Sequence, residues 1–195
     1  MRARRVRSPG TVDAMAVIPA VSDHAASDHA ASTYEAPVPT AEAMHELGRR
    51  FGASLRPGDL VVLTGGLGAG KTTLTRGIGE GLGVRGPITS PTFVIARVHP
   101  SLVGGPPLVH ADAYRLGSMD ELDDLDLDAS VEDSVTVVEW GEGKAEALAE
   151  DRLEIVIMRE SAEDVDEPGD PDVRWLAATG VGARWSAAEL AGIFA

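Results

Sequence analysis

LVVLTGGLGAGKTTL, residues 60–74, is the stretch on which the reading of this chain turns. Leu60 to Leu63 is an apolar run short enough to be a buried strand. Gly65-Gly66-Leu67-Gly68-Ala69-Gly70-Lys71-Thr72 then matches G-x-x-x-x-G-K-[ST]. Beyond it Leu74, Ile78 and Leu82 recur at helical spacing, and Gly81 and Gly83 suit the helix end. Glycines let a backbone wrap closely around phosphate with successive N–H groups pointing inward. A helix starting near Lys71 adds the positive end of its dipole. Lys71 can reach the β- and γ-phosphates, and the Thr72 hydroxyl can hold magnesium. On ordinary residue usage such a match arises by chance in about 1% of chains of this length or fewer. The flanking strand and helix make an incidental glycine-rich turn a still poorer account. The expected ligands are therefore ATP and Mg2+, held by Gly66 to Gly70 and by Lys71, Thr72 and Thr73.

On the N-terminal side, Thr40 reads as an N-cap with Glu42 in the first turn. Met44, Leu47, Phe51 and Leu55 give an amphipathic helix, closed by a turn at Pro57-Gly58-Asp59. Residues 1–39 show no sustained period. They carry a basic tip at Arg2, Arg4, Arg5 and Arg7, a tandem SDHAA repeat over 22–31, and prolines at 37 and 39. The expectation is a disordered low-complexity tail over 1–39 and one domain over 40–195, with His24 and His29 as tail residues rather than metal ligands.

On the C-terminal side, Ser90-Pro91-Thr92-Phe93 leads into a strand-like run, Phe93 to Val98, and a loop spans Pro100 to Pro107. A short strand beginning at Leu108-Val109 ends in Asp112. Ser118 and Glu121 form a capping box for an acidic helix. Val135 to Val138 is a β-branched strand ending in Glu139-Trp140, and Leu153 to Met158 is another. Residues 160–172 read as an acidic loop, Val173 to Ala178 as an edge strand, and Ser186 with Glu189 as the cap of a last helix. Strands alternating with helices predict an α/β fold with a mainly parallel sheet and helices on both faces.

A phosphate loop that does chemistry needs acids at neighbouring strand ends to hold magnesium or order water. Asp112 and Glu139 both stand where the carboxyl edge of the sheet would face the phosphates. Each is equally readable as a solvated acid at a strand end. Ser90 and Thr92 offer hydroxyls, although by themselves they are better accounted for by a Ser-Pro turn entering a strand. His110 reads as a core histidine, and Arg115 either as a positive charge for phosphate or as a partner of the acidic run from Asp120 to Asp133.

Composition narrows the alternatives. The chain has 195 residues, no cysteine and a formal charge of −14, which excludes disulfides and thiolate zinc sites and disfavours direct binding of nucleic acid. No run approaches the ~18 apolar residues of a membrane span, so a cytoplasmic protein is expected. There is no asparagine and no glutamine. A guanine-selecting Asn-Lys-x-Asp motif is therefore absent, as is a glutamine to orient water.

The motifs taken in order, GGLGAGKTTLTRGI, SPTF, HADAYRL and VVEWGE, resemble the bacterial TsaE family of ATPases for tRNA threonylcarbamoyladenosine biosynthesis over about residues 40–158. The resemblance implies a small P-loop NTPase with a mostly parallel sheet flanked by antiparallel strands. It implies two protein partners that modify the adenosine beside the anticodon of ANN-decoding tRNAs, with tRNA met only indirectly and with no role for membrane or DNA. It carries the phosphate and magnesium roles to Lys71 and Thr72, a switch-like position to Thr92, a Walker-B-like position to Asp112, and a place near the nucleotide to Glu139 and Trp140. Ala113, after Asp112, departs from the larger apolar residue common there. A small-molecule or nucleoside kinase would share the loop but usually has an Arg-rich lid, whereas Arg76, Arg85, Arg97 and Arg115 are scattered. A nucleotide-binding assembly module without turnover is the third reading.

Overall fold

The apolar runs at 60–63, 108–111, 135–138 and 153–157 become neighbours at the centre of one sheet. The computed structural model describes residues 32–116, 131–159 and 173–194. They form β1 Ser32–Val38, α1 Ala41–Ser54, β2 Leu60–Gly65, α2 Lys71–Leu82, β3 Ala96–His99, β4 Leu108–Asp112, β5 Val135–Glu139, β6 Arg152–Arg159, β7 Arg174–Val181 and α3 Ala187–Phe194. Short 3-10 turns follow at Ala113–Arg115 and Glu146–Leu148. The sheet order is β1-β7-β6-β2-β5-β4-β3. β6, β2, β5 and β4 run parallel, while β3 joins β4, and β7 and β1 extend β6, in antiparallel register.

β2, β4 and β5 are buried on both faces because both faces are covered, whereas β6 buries Leu153, Ile155 and Ile157 on one face and leaves Val156 and Met158 exposed on the other. Val61, Leu63, Val135, Val137, Leu153 and Ile155 meet the apolar sides of α1, α2 and α3. Leu60, Val62, Val109, Ala111 and Val138 meet Ala113, Leu116, Ala145 and Leu148 on the other side. All three described helices therefore lie on one face, and the expected helices on both faces are not found among the described residues. Instead, the second face is closed by the two 3-10 turns and the segment around Ile95. The Thr40 cap is observed, its hydroxyl accepting the Ala43 N–H.

Glycine sets the distance between α1 and α2. A Cβ at Gly48 or Gly52 would run into the carbonyls of Leu74 and Ile78, and one at Gly77 or Gly81 into those of His45 and Arg49. Each helix thus presents a small-x-x-x-small seam to the other. Gly81, read from the sequence as part of a helix end, is a packing residue.

Three strand assignments are corrected. Residues 32–38 are not tail: β1 pairs along its whole length with β7. Val38 is buried, Tyr34 stacks on Phe194 at 5.8 Å, and Pro37 is tolerated because β1 is an edge strand. β7 is accordingly internal, not an edge, and it runs to Val181. The strand expected from Phe93 starts only at Ala96, because the Val94 and Ile95 N–H groups fold back to the Pro91 carbonyl and Ile95 adopts φ 69°. The readings at residues 1–31, at the Ser118–Glu121 capping box and at 160–172 lie outside the described residues.

The segment between β7 and α3 is tied to the α1–β2 turn by Arg184, which makes a two-pronged bond to the buried Asp59 carboxylate, 2.9 Å on each oxygen. Ser186 and Glu189 cap α3 reciprocally. Among the described residues no helix is long and apolar enough to cross a membrane.

Candidate functional site

The site grows from the turn between β2 and α2. Gly65, Gly68 and Gly70 have φ of 149°, 74° and 118°, a conformation L side chains rarely adopt. Gly65 is doubly constrained, since a Cβ there would come 2.5 Å from the Ile157 carbonyl of β6. Gly70 is the N-cap of α2 and supplies no side chain to its free N–H groups. The positive end of the helix is left open to an anion.

Lys71 opens α2 with its side chain turned back over the loop. Its Nζ donates to the Gly65 and Gly66 carbonyls at 2.7 and 3.0 Å and stands 3.7 Å from the centre of the Trp140 ring. Burial holds this ammonium below the usual lysine range, opposed by the nearby carboxylates of Glu139 and Asp112. Trp140 is itself in the left-handed region, φ 60°, tied to β2 by its N–H to the Leu63 carbonyl, and its ring meets Tyr114 at 5.1 Å. Non-glycine residues held at positive φ cluster at functional sites. Among the described residues these are Trp140, which lines the cleft, and Ile95, whose carbonyl accepts the Asp112 N–H.

β4 and β5 bring the acids in. Asp112 and Glu139 are register partners at the ends of adjacent strands and are both buried. They do different things. The Thr72 hydroxyl donates to Glu139, 2.9 and 3.0 Å from its two oxygens, and His110 Nε2 lies 2.8 Å from Oε1. Asp112 faces the other wall: its Oδ2 accepts the hydroxyls of Ser90, at 3.1 Å, and of Thr92, in a very short contact, while Oδ1 accepts the Tyr114 N–H. Together Leu67 to Thr73, Arg76, Ser90, Thr92, Asp112, Glu139 and Trp140 line a cleft of about 300 Å³. Gly66 lies on the far side of the loop, in a hollow with Tyr114, Trp140 and Lys144.

Every sequence-predicted site residue therefore converges on the loop. Two others were underread. Ser90 shares Asp112 with Thr92, and His110 is bonded to Glu139 rather than being an inert core residue. Position 110 lies two residues before Asp112 and so shares its sheet face. That spacing is the only sequence signal available, and it does not reveal the partner.

The donor set suits a metal held jointly with phosphate. Among the described residues no group of three His, Cys, Asp or Glu could hold a metal alone. One hydroxyl and two carboxylates beside a phosphate cradle fit magnesium, which keeps waters and leans on substrate phosphates.

A model of the family described as threonylcarbamoyl adenosine biosynthesis protein TsaE matches residues 38–166. The chain belongs to the TsaE family. The tRNA threonylcarbamoyladenosine biosynthesis protein TsaE of Streptomyces coelicolor is 65% identical over 148 residues, 75% of this chain and 97% of that relative. Those of Mycobacterium tuberculosis and Bacillus subtilis are 51% and 42% identical, over 66% and 68% of this chain and 81% and 77% of theirs. The crystal structure of Bacillus subtilis YdiB superimposes with a TM-score of 0.65 at 31% identity, covering 86% of this chain and 97% of that one. The family match spans the loop, both acids and Trp140. It leaves β7 and α3 outside its bounds, although the fold places β7 inside the sheet.

Proposed function

We propose that this chain is a P-loop ATPase of the NTPase fold that binds Mg-ATP, hydrolyses it slowly, and thereby supports threonylcarbamoylation of ANN-decoding tRNAs by two partner proteins in the cytoplasm. One observation carries the reading: the Thr72 hydroxyl, at the uncapped start of α2 beside Lys71, gives its proton to Glu139. A threonine that donates to a carboxylate keeps its oxygen lone pairs for a cation. Magnesium, when bound, would neutralise phosphate charge and polarise the transferred group.

The chain's own residues supply the rest. Backbone N–H groups from Gly66 to Thr73 and the Lys71 ammonium bind phosphate, and Thr72, Glu139 and Asp112 hold the magnesium shell, directly or through water. The resemblance gives Asp112 the Walker-B-like position. The geometry favours Glu139 on the metal side, because it holds Thr72, and Asp112 as the acid that keeps the hydroxyls of Ser90 and Thr92 at the cleft. With no glutamine in the chain, orienting the attacking water falls to these carboxylates. Trp140, stacked on Lys71 and leading out of β5 from Glu139, couples phosphate occupancy to an outer surface that also carries Tyr114.

The experiment is phosphate release with magnesium, alone and with the two partners, for wild type, Glu139→Ala and Asp112→Ala. Both variants should lose turnover by more than they lose ATP affinity, and phosphate should appear without a phosphorylated acceptor, which a kinase would require. Wild-type turnover in either variant would remove that acid from the mechanism. Unchanged tRNA threonylcarbamoyladenosine after full depletion of the protein, with no second gene copy, would remove the biological role.

A further inference from the structure

We propose that His110 is a positioning residue of this site: it fixes the Glu139 carboxylate so that Glu139 holds the Thr72 hydroxyl in one orientation. The proposal rests on the ATPase reading for its kinetic consequences but not for its structural content.

Glu139 stands at the end of β5, and a glutamate's terminal torsion is soft. With Thr72 as its only partner the carboxylate could roll and carry the hydroxyl with it. His110 prevents this. It is fully buried on β4, one strand away, and its Nε2 lies 2.8 Å from Glu139 Oε1. A stiff ring clamped in the sheet thus grips one oxygen, and Thr72 spans both. Because Glu139 Oε1 is an acceptor, the His110 proton on this side sits on Nε2.

The other ring nitrogen shows why a core role does not explain the residue. Nδ1 is buried and has no hydrogen-bond partner among the described residues. A buried polar atom without a partner is unfavourable, and a leucine would fill comparable space without one. The Nε2 bond to Glu139 is what His110 contributes that an apolar residue cannot.

Two measurements test this. In the nucleotide-free protein, NMR should find the His110 Nε2–H proton slow to exchange with water, and Glu139→Ala should shift or erase it. In kinetics, His110→Leu should lower kcat for ATP hydrolysis by about 10- to 100-fold while the dissociation constant for ATP changes by no more than about threefold. His110→Gln, whose amide can donate from nearly the same place, should recover most of that loss. In a Glu139→Ala background His110→Leu should have no further effect, because residues that act through one another are not additive.

A ring proton indifferent to Glu139→Ala, wild-type kcat in His110→Leu, or independent losses in the double variant would each make His110 a core residue only. If His110→Leu does not fold, His110→Gln and the ring proton decide. If the wild type releases no phosphate with or without partners, the ATPase reading falls, and the ring proton still decides whether His110 holds Glu139.

Discussion

Lys71 is held by two carbonyls and a tryptophan ring. On the proposed function, Lys71→Ala removes the charge that would meet the β- and γ-phosphates. Charge-assisted contacts of this kind are worth about 1.5–3 kcal/mol, so ATP affinity should fall roughly ten- to a hundredfold, measurable by titration calorimetry. Unchanged affinity would overturn the assignment. A second residue-scale expectation concerns His99 on β3. Its Nδ1 bonds the Arg85 carbonyl at 3.1 Å, and Nε2 is buried without a partner among the described residues. Burial holds this histidine below the usual range, the Arg85 bond opposing. The unfolded chain therefore takes up a proton near pH 6.5, where the folded protein does not yet do so. The resulting stability is complete above that pH and is lost as pH falls below it toward the depressed folded value. His99→Asn keeps a donor for Arg85 and removes the titration. Its melting temperature should drop less between pH 8 and pH 5.5 than that of the wild type, and an equal drop would place the acid sensitivity elsewhere.

At the scale of elements, β1 shows how far a local reading reaches. Ser32 to Pro39 holds two prolines in eight residues, Pro37 and Pro39, and only a short alternation of Tyr34, Ala36 and Val38. As an isolated segment it has too little apolar surface to offset the entropy of ordering. It becomes a strand because β7 offers an unpaired edge and α3 offers Phe194 to Tyr34. Deleting residues 1–31 should leave melting temperature and nucleotide affinity nearly unchanged, since that stretch is compositionally poor in core-forming residues. Deleting 1–39 removes β1, including the buried Val38, and bares the edge of β7. Losing one fully buried valine costs about 1.5–3 kcal/mol, which lowers the melting temperature by roughly 5 °C or more. If the longer deletion melts with the shorter, β1 contributes nothing to stability.

For the whole molecule, charge bears on RNA binding. At −14 the surface repels a polyanion, and tRNA binding draws on clustered Lys and Arg. The chain alone should show no saturable tRNA binding below about 100 μM at physiological salt, where binding even by general nucleic-acid binders lies near 10⁻⁴–10⁻⁶ M. On the proposed function, with two partner proteins and ATP it should join a complex that sustains many rounds of modification. Tight binding of tRNA by the isolated chain, followed by fluorescence anisotropy across a salt series, would show that it contacts its RNA directly.

The loop, its strand and its helix were legible from residues 60–82 because glycine spacing, a lysine-threonine pair and two apolar periods all act over short range. The two acids were legible as strand ends for the same reason. Their division of labour was not, because which carboxylate reaches Thr72 depends on strand order: β5 lies against β2 and β4 does not. His110 was out of reach for a similar reason, since its partner is 29 residues away and on another strand. The glycine seam between α1 and α2 and the strand character of 32–38 likewise follow from surfaces brought together by folding. Short-range pattern determined what each segment is, and tertiary packing decided which polar groups meet, because hydrogen bonds between strands depend on neighbours that no local window contains.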